Sequence, residues 1–174
     1  MTEAVLVSDP LFPRSALVLS VDRQRPYDPR TEQVRWTLCR GGLPNGIFQE
    51  DARVLALTEI SVSAIRSVSL SSKAPQETCA QFLTRLRRER PDLICLDGSV
   101  AAAFRSSPAR TQLRNHLSMS GRSALFATPL RRPDDTRFYA PSIRYRKSRQ
   151  AIKWQYEQLD QPMGRVKMFL VLAT

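Results

Sequence analysis

The sequence predicts an α/β fold, a mixed β-sheet flanked by helices, from three observations. Hydrophobic residues make up 42% of the 174 residues, which is enough to bury a core. Short runs rich in branched apolar residues, such as 15–22, have the composition of buried strands. A helical pattern over 75–90 leads through a tight turn into the apolar run 92–97, an order typical of β-α-β units. We therefore expect one domain over residues 15–174, after an irregular lead-in with two prolines at residues 1–14.

The elements of the first half are predicted from local patterns. The run at 15–22 ends in a polar turn, and the run at 34–39 alternates and stops at two glycines, so both are predicted strands. Residues 54–57 fit either a strand or a short helix, whereas residues 61–70 are rich in β-branched residues and serine and favour a strand. The helix at 75–90 begins at a proline and carries one apolar stripe, formed by Cys79, Phe82, Leu83 and Leu86.

The second half is predicted to alternate helices and strands around one basic segment. A helix over 101–119 is broken at Ser107–Pro108, because serine caps helices and proline suits their first position. Residues 128–147 fit a basic loop or an irregular hairpin. Residues 148–159 fit a helix with one apolar side, formed by Ile152, Tyr156 and Leu159. Apolar runs predict further strands at 123–127 and 166–172.

The basic residues are concentrated in the second half. The formal net charge is +11, yet residues 1–100 carry 13 Arg and Lys against 12 Asp and Glu, whereas residues 101–174 carry 14 against 4. Arginine outnumbers lysine 23 to 4, and its planar guanidinium matches phosphate with two parallel hydrogen bonds. A GC-rich coding bias would explain this ratio but not the difference between the halves. The asymmetry predicts an anionic polymer as partner, in the first place nucleic acid, either DNA or RNA.

The segment 131–149 is the strongest candidate for a nucleic-acid-binding surface, because basic residues there alternate with aromatic ones. Cations contact phosphates and rings can stack on bases. Trp154 is predicted to extend the surface on the Lys147 side of the helix at 148–159. The alternative is a solvated basic loop whose aromatic residues hold it to the core. The candidate binding residues are Arg131, Arg132, Arg137, Tyr139, Arg144, Tyr145, Arg146, Lys147, Arg149 and Trp154.

Several classes of site and location are disfavoured by the sequence. Three scattered cysteines in apolar contexts are typical of buried thiols in a reducing compartment, so we expect an intracellular protein, cytoplasmic or in the nucleoid or nucleus. His116, the single histidine, is predicted to be partly buried and structural. The sequence has no run of about 18 apolar residues, so it does not predict a membrane span. Phosphate-loop, dinucleotide-binding and Gly-x-Ser-x-Gly motifs are absent.

A set of carboxylates is the candidate for catalysis. Asp22 and Asp97 each end a predicted strand, and if those strands were parallel neighbours both carboxylates would hold Mg²⁺ or Mn²⁺ at one sheet edge. Glu157 is the preferred third ligand, with Asp160 and Glu59 as alternatives. The competing interpretation is that both aspartates are turn and cap residues. The nearby arginines Arg23 and Arg25 would also compete with a metal ion for Asp22.

With acidic residues at these positions, the chain resembles the ribonuclease H-like superfamily. Asp22 in Leu-Ser-Val-Asp, Asp97 in Ile-Cys-Leu-Asp-Gly, and Glu157 or Asp160 match the acidic positions of that superfamily, and the element order over residues 15–160 is similar. The resemblance implies three antiparallel strands followed by alternating helices and strands. It also implies a Mg²⁺-dependent nuclease or phosphoryl transferase, or an inactive relative of one.

The sequence therefore predicts a nucleic-acid-binding protein and leaves three versions open. The first adds metal-dependent cleavage. The second is a non-enzymatic assembly or matrix-type protein whose basic face meets an acidic protein, an anionic membrane surface or a packaged genome. The third is a subunit of a larger complex whose basic half docks on RNA or on an acidic partner.

Overall fold

The computed structural model describes residues 5–25, 27, 37–38, 50–70, 77–131 and 136–174, and within them the α-helices precede the last five strands. The strands are β1 Val5–Val7, β2 Val18–Ser20, β3 Thr37–Leu38, β4 Glu59–Ser61, β5 Arg66–Leu70, β6 Leu93–Cys95, β7 Ser123–Leu125, β8 Leu130–Arg131, β9 Phe138–Arg146, β10 Ala151–Gln158 and β11 Lys167–Ala173. The helices are α1 Ala52–Leu55, α2 Cys79–Glu89, α3 Gly98–Ser106 and α4 Ala109–Ser120.

Nine of the described strands form one sheet with the order β1-β5-β11-β7-β9-β8-β3, in which β10 also pairs with β9 and β6 with β11. Within the described part of this sheet only β7 and β11 run parallel, so the sheet is mixed but mostly antiparallel. β2 and β4 form a separate two-stranded sheet. The predicted α/β class with helices flanking a mixed sheet is thus confirmed.

The core lies on both faces of the large sheet, and β11 shows why. Its residues alternate between faces, as in any strand. Met168 and Leu170 belong to a cluster that includes Phe104 and Leu113 of α3 and α4. Phe169 and Val171 instead belong to a cluster formed with the apolar stripe of α2. None of the described helices has both the length and the apolar character needed to cross a membrane.

Several local predictions are confirmed. The helix predicted at 75–90 is α2, Cys79–Glu89, which begins four residues later than predicted, after a capping box at Thr78 whose hydroxyl accepts from the Gln81 N–H (3.2 Å). Pro75, the predicted first residue, lies outside the described residues. The break at Ser107–Pro108 separates α3 from α4, and the Ser107 hydroxyl accepts from the Ala109 N–H (3.1 Å). Between the alternatives for 54–57, the structure has the short helix α1, capped by Asp51. The hairpin alternative for 128–147 is also correct, since β9 pairs with β8.

Three predictions are wrong, two of them because the segment pairs with another strand. Residues 148–159 are not a helix, because β10 pairs with β9 over its whole length. Ile152, Trp154 and Tyr156 also fit the period of two of a strand. The irregular lead-in contains β1, which is ordered by pairing with β5. The run at 61–70 is interrupted by a 3₁₀ turn at Val62–Ala64. The strand predicted at 34–39 is a strand at Thr37–Leu38, and its other residues lie outside the described ones.

Candidate nucleic-acid interface

β9 and β10 form a long antiparallel hairpin that carries most of the predicted binding residues. Its turn is a 3₁₀ segment at Lys147–Arg149 followed by Gln150, which has a positive φ of 47°. The pairing register places Arg146 opposite Ala151 and Arg144 opposite Lys153. Because side chains alternate along a strand, Arg144, Arg146 and Lys153 share one face of the hairpin.

We call this group, Arg144, Arg146 and Lys153, the basic face. Arg144 is exposed, and Arg146 and Lys153 are half-buried. Among the described residues none of the three has an acidic partner. Cations placed directly opposite each other on neighbouring strands destabilise a sheet. Lys147 and Arg149, both exposed in the turn, add charge at the end of the same hairpin.

The opposite face of the hairpin is packed against the protein. Ile143 and Ile152 are buried in the cluster beneath α3 and α4, and Tyr145 and Trp154 pack against that cluster. Trp154 therefore shares a face with Ile152, which corrects its predicted helical position beside Lys147. The Arg105 guanidinium also lies over the Trp154 ring, 4.7 Å from its centroid. These rings hold the hairpin to the core, as the alternative interpretation of the segment expects.

The remaining predicted binding residues lie at the other end of the hairpin. Tyr139 is only 6% exposed and belongs to the core. Arg131 and Arg137 are exposed where β8 meets β9. Arg132 lies outside the described residues.

Three further exposed cations were not selected from the sequence. Arg105 lies in the last turn of α3, and Arg110 and Arg114 lie one turn apart on α4, where both are exposed. Within the described part of the chain none of the three has a carboxylate partner. The signal that could have found them is the lack of any acidic residue between Gly98 and Arg131.

Asp97, the strongest catalytic candidate, is engaged in structural contacts. Its side chain is 1% exposed, and its Oδ2 accepts from the Arg23 Nη1 at 2.6 Å. Its Oδ1 caps α3 by accepting from the Val100 N–H (3.4 Å). A Cβ on the next residue, Gly98, would approach the Tyr27 ring to 2.7 Å, so that ring lies directly over the helix start.

Arg23 joins the strand end near Asp22 to this helix start. Besides the bond to Asp97, its Nε donates to the Leu57 carbonyl (2.8 Å) and its Nη2 to the Val54 carbonyl (2.6 Å). The guanidinium thus joins the segment of Arg23 to two others that are far apart in sequence, residues 54–57 and the start of α3. Both Arg23 and Asp97 are nearly buried, with side chains 15% and 1% exposed, so the pair forms a structural clamp.

Asp22 and Glu157 lie in other surroundings. Asp22 is 61% exposed and its Oδ1 accepts from the Gln24 N–H (2.9 Å), as in a turn. β2 lies in the small sheet and β6 in the large one, so the strands before the two aspartates are not the expected parallel neighbours. Glu157 lies on β10 instead of a helix and accepts from the Gln155 side chain (2.9 Å). Asp160 follows β10 in a turn, and Glu59 is exposed on β4.

In the described ranges no three His, Cys, Asp or Glu side chains cluster as a metal site would require. The two described cysteines fit the predicted buried thiols. Burial raises the pKa of Cys79 to about 11 and that of Cys95 to about 12, so both stay protonated at neutral pH. Cys39 lies outside the described residues.

Comparisons of the chain with protein-family models, with curated proteins and with solved structures found no match.

Proposed function

We propose that this protein binds nucleic acid through the basic face of its β9–β10 hairpin. The observation that carries the proposal is Arg144 directly opposite Lys153, with Arg146 on the same face and no described carboxylate paired with any of them. Such a group repels itself in the free protein, and the phosphates of a polyanion would relieve that repulsion.

The contacts that we propose are with phosphates and not with bases. Tyr139 is buried, and Tyr145 and Trp154 pack against the core, so these rings offer little surface for base stacking. The arginines, in contrast, reach solvent and can form paired hydrogen bonds with phosphate oxygens. Binding of this kind is largely independent of base sequence and weakens steeply with salt.

The direct test measures binding of labelled single- and double-stranded DNA and RNA by fluorescence anisotropy over a range of salt concentrations. The test variant is Arg144→Gln/Arg146→Gln/Arg149→Gln. The matched control, Arg14→Gln/Arg25→Gln/Arg88→Gln, removes the same charge from three exposed arginines of the first half.

We expect the test variant to bind at least about tenfold more weakly at low salt, with a salt slope reduced by about 2 to 3, and the control to stay within about twofold of the parent. Thermal unfolding checks that both variants are folded. No binding of any oligonucleotide at low ionic strength, or equal losses in the two variants, would contradict the proposal.

Metal-dependent cleavage of the ribonuclease H-like type remains a prediction with a separate test. Labelled substrates are incubated with Mg²⁺ or Mn²⁺, and Asp22→Asn is the informative variant because Asp22 is exposed and outside the buried clamp. Cleavage that Asp22→Asn abolishes would support it. A parent without cleavage, or an unchanged rate in Asp22→Asn, would contradict the catalytic role of Asp22.

A further inference from the structure

The helix α4 buries one stripe of its surface and exposes the opposite one. Its buried residues recur every four positions and are Ala109, Leu113 and Leu117. Each residue of a helix is turned by about 100° from the one before it, so the side chains opposite this stripe are those of Thr111, Asn115 and Ser118. All three are exposed, and among the described residues none of their side chains has a hydrogen-bond partner.

Two arginines lie beside these polar residues. Arg110 and Arg114 are exposed, and within the described ranges neither forms an ion pair with a carboxylate. Arg110 lies in the first turn of α4, where the helix dipole disfavours a cation, and a second cation four residues later repels it. The stability of α4 therefore does not account for the two arginines, whereas a negatively charged partner would.

The exposed side chains of α4 match what the major groove of B-form DNA presents. Threonine, asparagine and serine can each donate and accept hydrogen bonds at base edges, and asparagine forms paired hydrogen bonds with adenine. Arginine forms paired hydrogen bonds with phosphate. The helix has 12 residues and is thus about 18 Å long, and a helix fits into a groove that is about 12 Å wide.

We propose that α4 is a DNA-recognition helix, which lies in the major groove of double-stranded DNA and contacts base edges through Thr111 and Asn115. In this arrangement Arg110 and Arg114 bind the phosphates along one side of the groove. Double-stranded RNA does not fit the same site, because its major groove is too narrow for side chains to reach the bases.

The α4 surface and the basic face lie on opposite sides of the large sheet. Leu113 and Leu117 belong to the same core cluster as Ile143 and Ile152, which alternate with the basic residues along β9 and β10. The inference therefore does not rest on phosphate binding by the hairpin. Single-stranded oligonucleotides test the hairpin, since they have no major groove for α4, so the two proposals can fail separately.

The test is selection from a pool of duplex DNA with random central base pairs, using the parent and Thr111→Ala/Asn115→Ala. Alanine is the strongest helix former, so this variant should stay folded, and thermal unfolding checks it. We expect the parent to enrich one base sequence and the variant to lose that preference. The hairpin variant Arg144→Gln/Arg146→Gln/Arg149→Gln is the control and should enrich the same sequence as the parent.

Fluorescence anisotropy with the enriched duplex then measures the size of the effect. Thr111→Ala/Asn115→Ala should bind this duplex at least about tenfold more weakly than the parent and bind an unselected duplex within about twofold of it. Arg110→Gln/Arg114→Gln should bind both duplexes more weakly, with a salt slope reduced by about 2.

A parent that enriches no base sequence would overturn the proposal. An enriched sequence that is unchanged in the α4 variant, or lost in the hairpin variant, would show that another part of the chain recognises the bases. Double-stranded RNA of the same sequence that competes as well as the DNA would exclude binding of α4 in a major groove.

Discussion

The arginines before Gly98 and those after it lie in different surroundings. Before Gly98, many guanidinium groups meet carboxylates within the protein, as in the pairs Arg23–Asp97, Arg53–Asp51, Arg85–Glu77, Arg85–Glu89, Arg88–Glu89 and Arg90–Asp92. From Gly98 to Tyr156 the described residues include no carboxylate. In the described part of the chain, the basic side chains of α3, α4 and the β9–β10 hairpin form no ion pair with an acidic residue.

This difference shows that one residue type has two uses in the same chain. Arg85 is buried, and the hydrogen bonds that it donates to Glu77 raise its pKa, so it has a structural role inside the protein. Arg144 has the same charge but projects from the sheet opposite Lys153. Net charge alone does not separate the two uses. The two uses differ in whether the arginine forms an ion pair with a carboxylate of the protein. Only arginines without such an ion pair are available to bind a polyanion.

The largest expected effect is on the internal arginines. Arg23→Met leaves Asp97 buried without its cation and removes two main-chain contacts, so we expect the free energy of unfolding to fall by about 3–5 kcal/mol. Arg144→Met, as control, should change it by no more than about 0.5 kcal/mol, because a surface cation beside another cation contributes little. Urea unfolding measures both. Similar losses of unfolding free energy in the two variants would contradict the distinction between paired arginines before Gly98 and unpaired arginines after it.

A smaller effect is expected where a cation of the second region contacts a ring. Arg105→Gln removes the guanidinium stacked on Trp154 and should cost about 0.5–1 kcal/mol. It should also change the emission of Trp154, measured in a Trp36→Phe background so that one tryptophan reports. Arg110→Gln is the matched control, because Arg110 is exposed on α4 and contacts none of the described aromatic rings, and it should leave the spectrum unchanged.

The smallest expected effect is the pH dependence contributed by His116. Burial and the nearby Arg122 hold the pKa of His116 below its ordinary value of 6.5. Below about pH 6.5, His116 is therefore protonated more readily in the unfolded chain than in the folded protein. This contribution to stability is complete above that pH and declines as the pH falls through the folded-state pKa.

Unfolding free energies of the parent and of His116→Gln at pH 7.5, 6.5 and 5.5 check this prediction. The parent should lose more stability than the variant on acidification. If the unfolding free energies of the two proteins changed with pH in the same way, the pKa of His116 would not be lowered by folding.

Local patterns were sufficient for the elements whose causes are local. The helix α2 follows from its apolar stripe, although its start at Thr78 was not predicted, and the break between α3 and α4 follows from Ser107 and Pro108. The strand β11 follows from one apolar run. The concentration of positive charge after residue 100 is likewise a property of the sequence alone.

Tertiary structure decided everything that depends on a partner distant in sequence. Residues 151–158 satisfy both a helical and a strand pattern, and pairing with β9 selects the strand. Asp97 could have been a metal ligand or a cap, and Arg23, 74 residues away, occupies its Oδ2. The sequence by itself determined how much charge the chain carries and where. Only the fold determined which cations are neutralised, because an ion pair requires two side chains to meet in space.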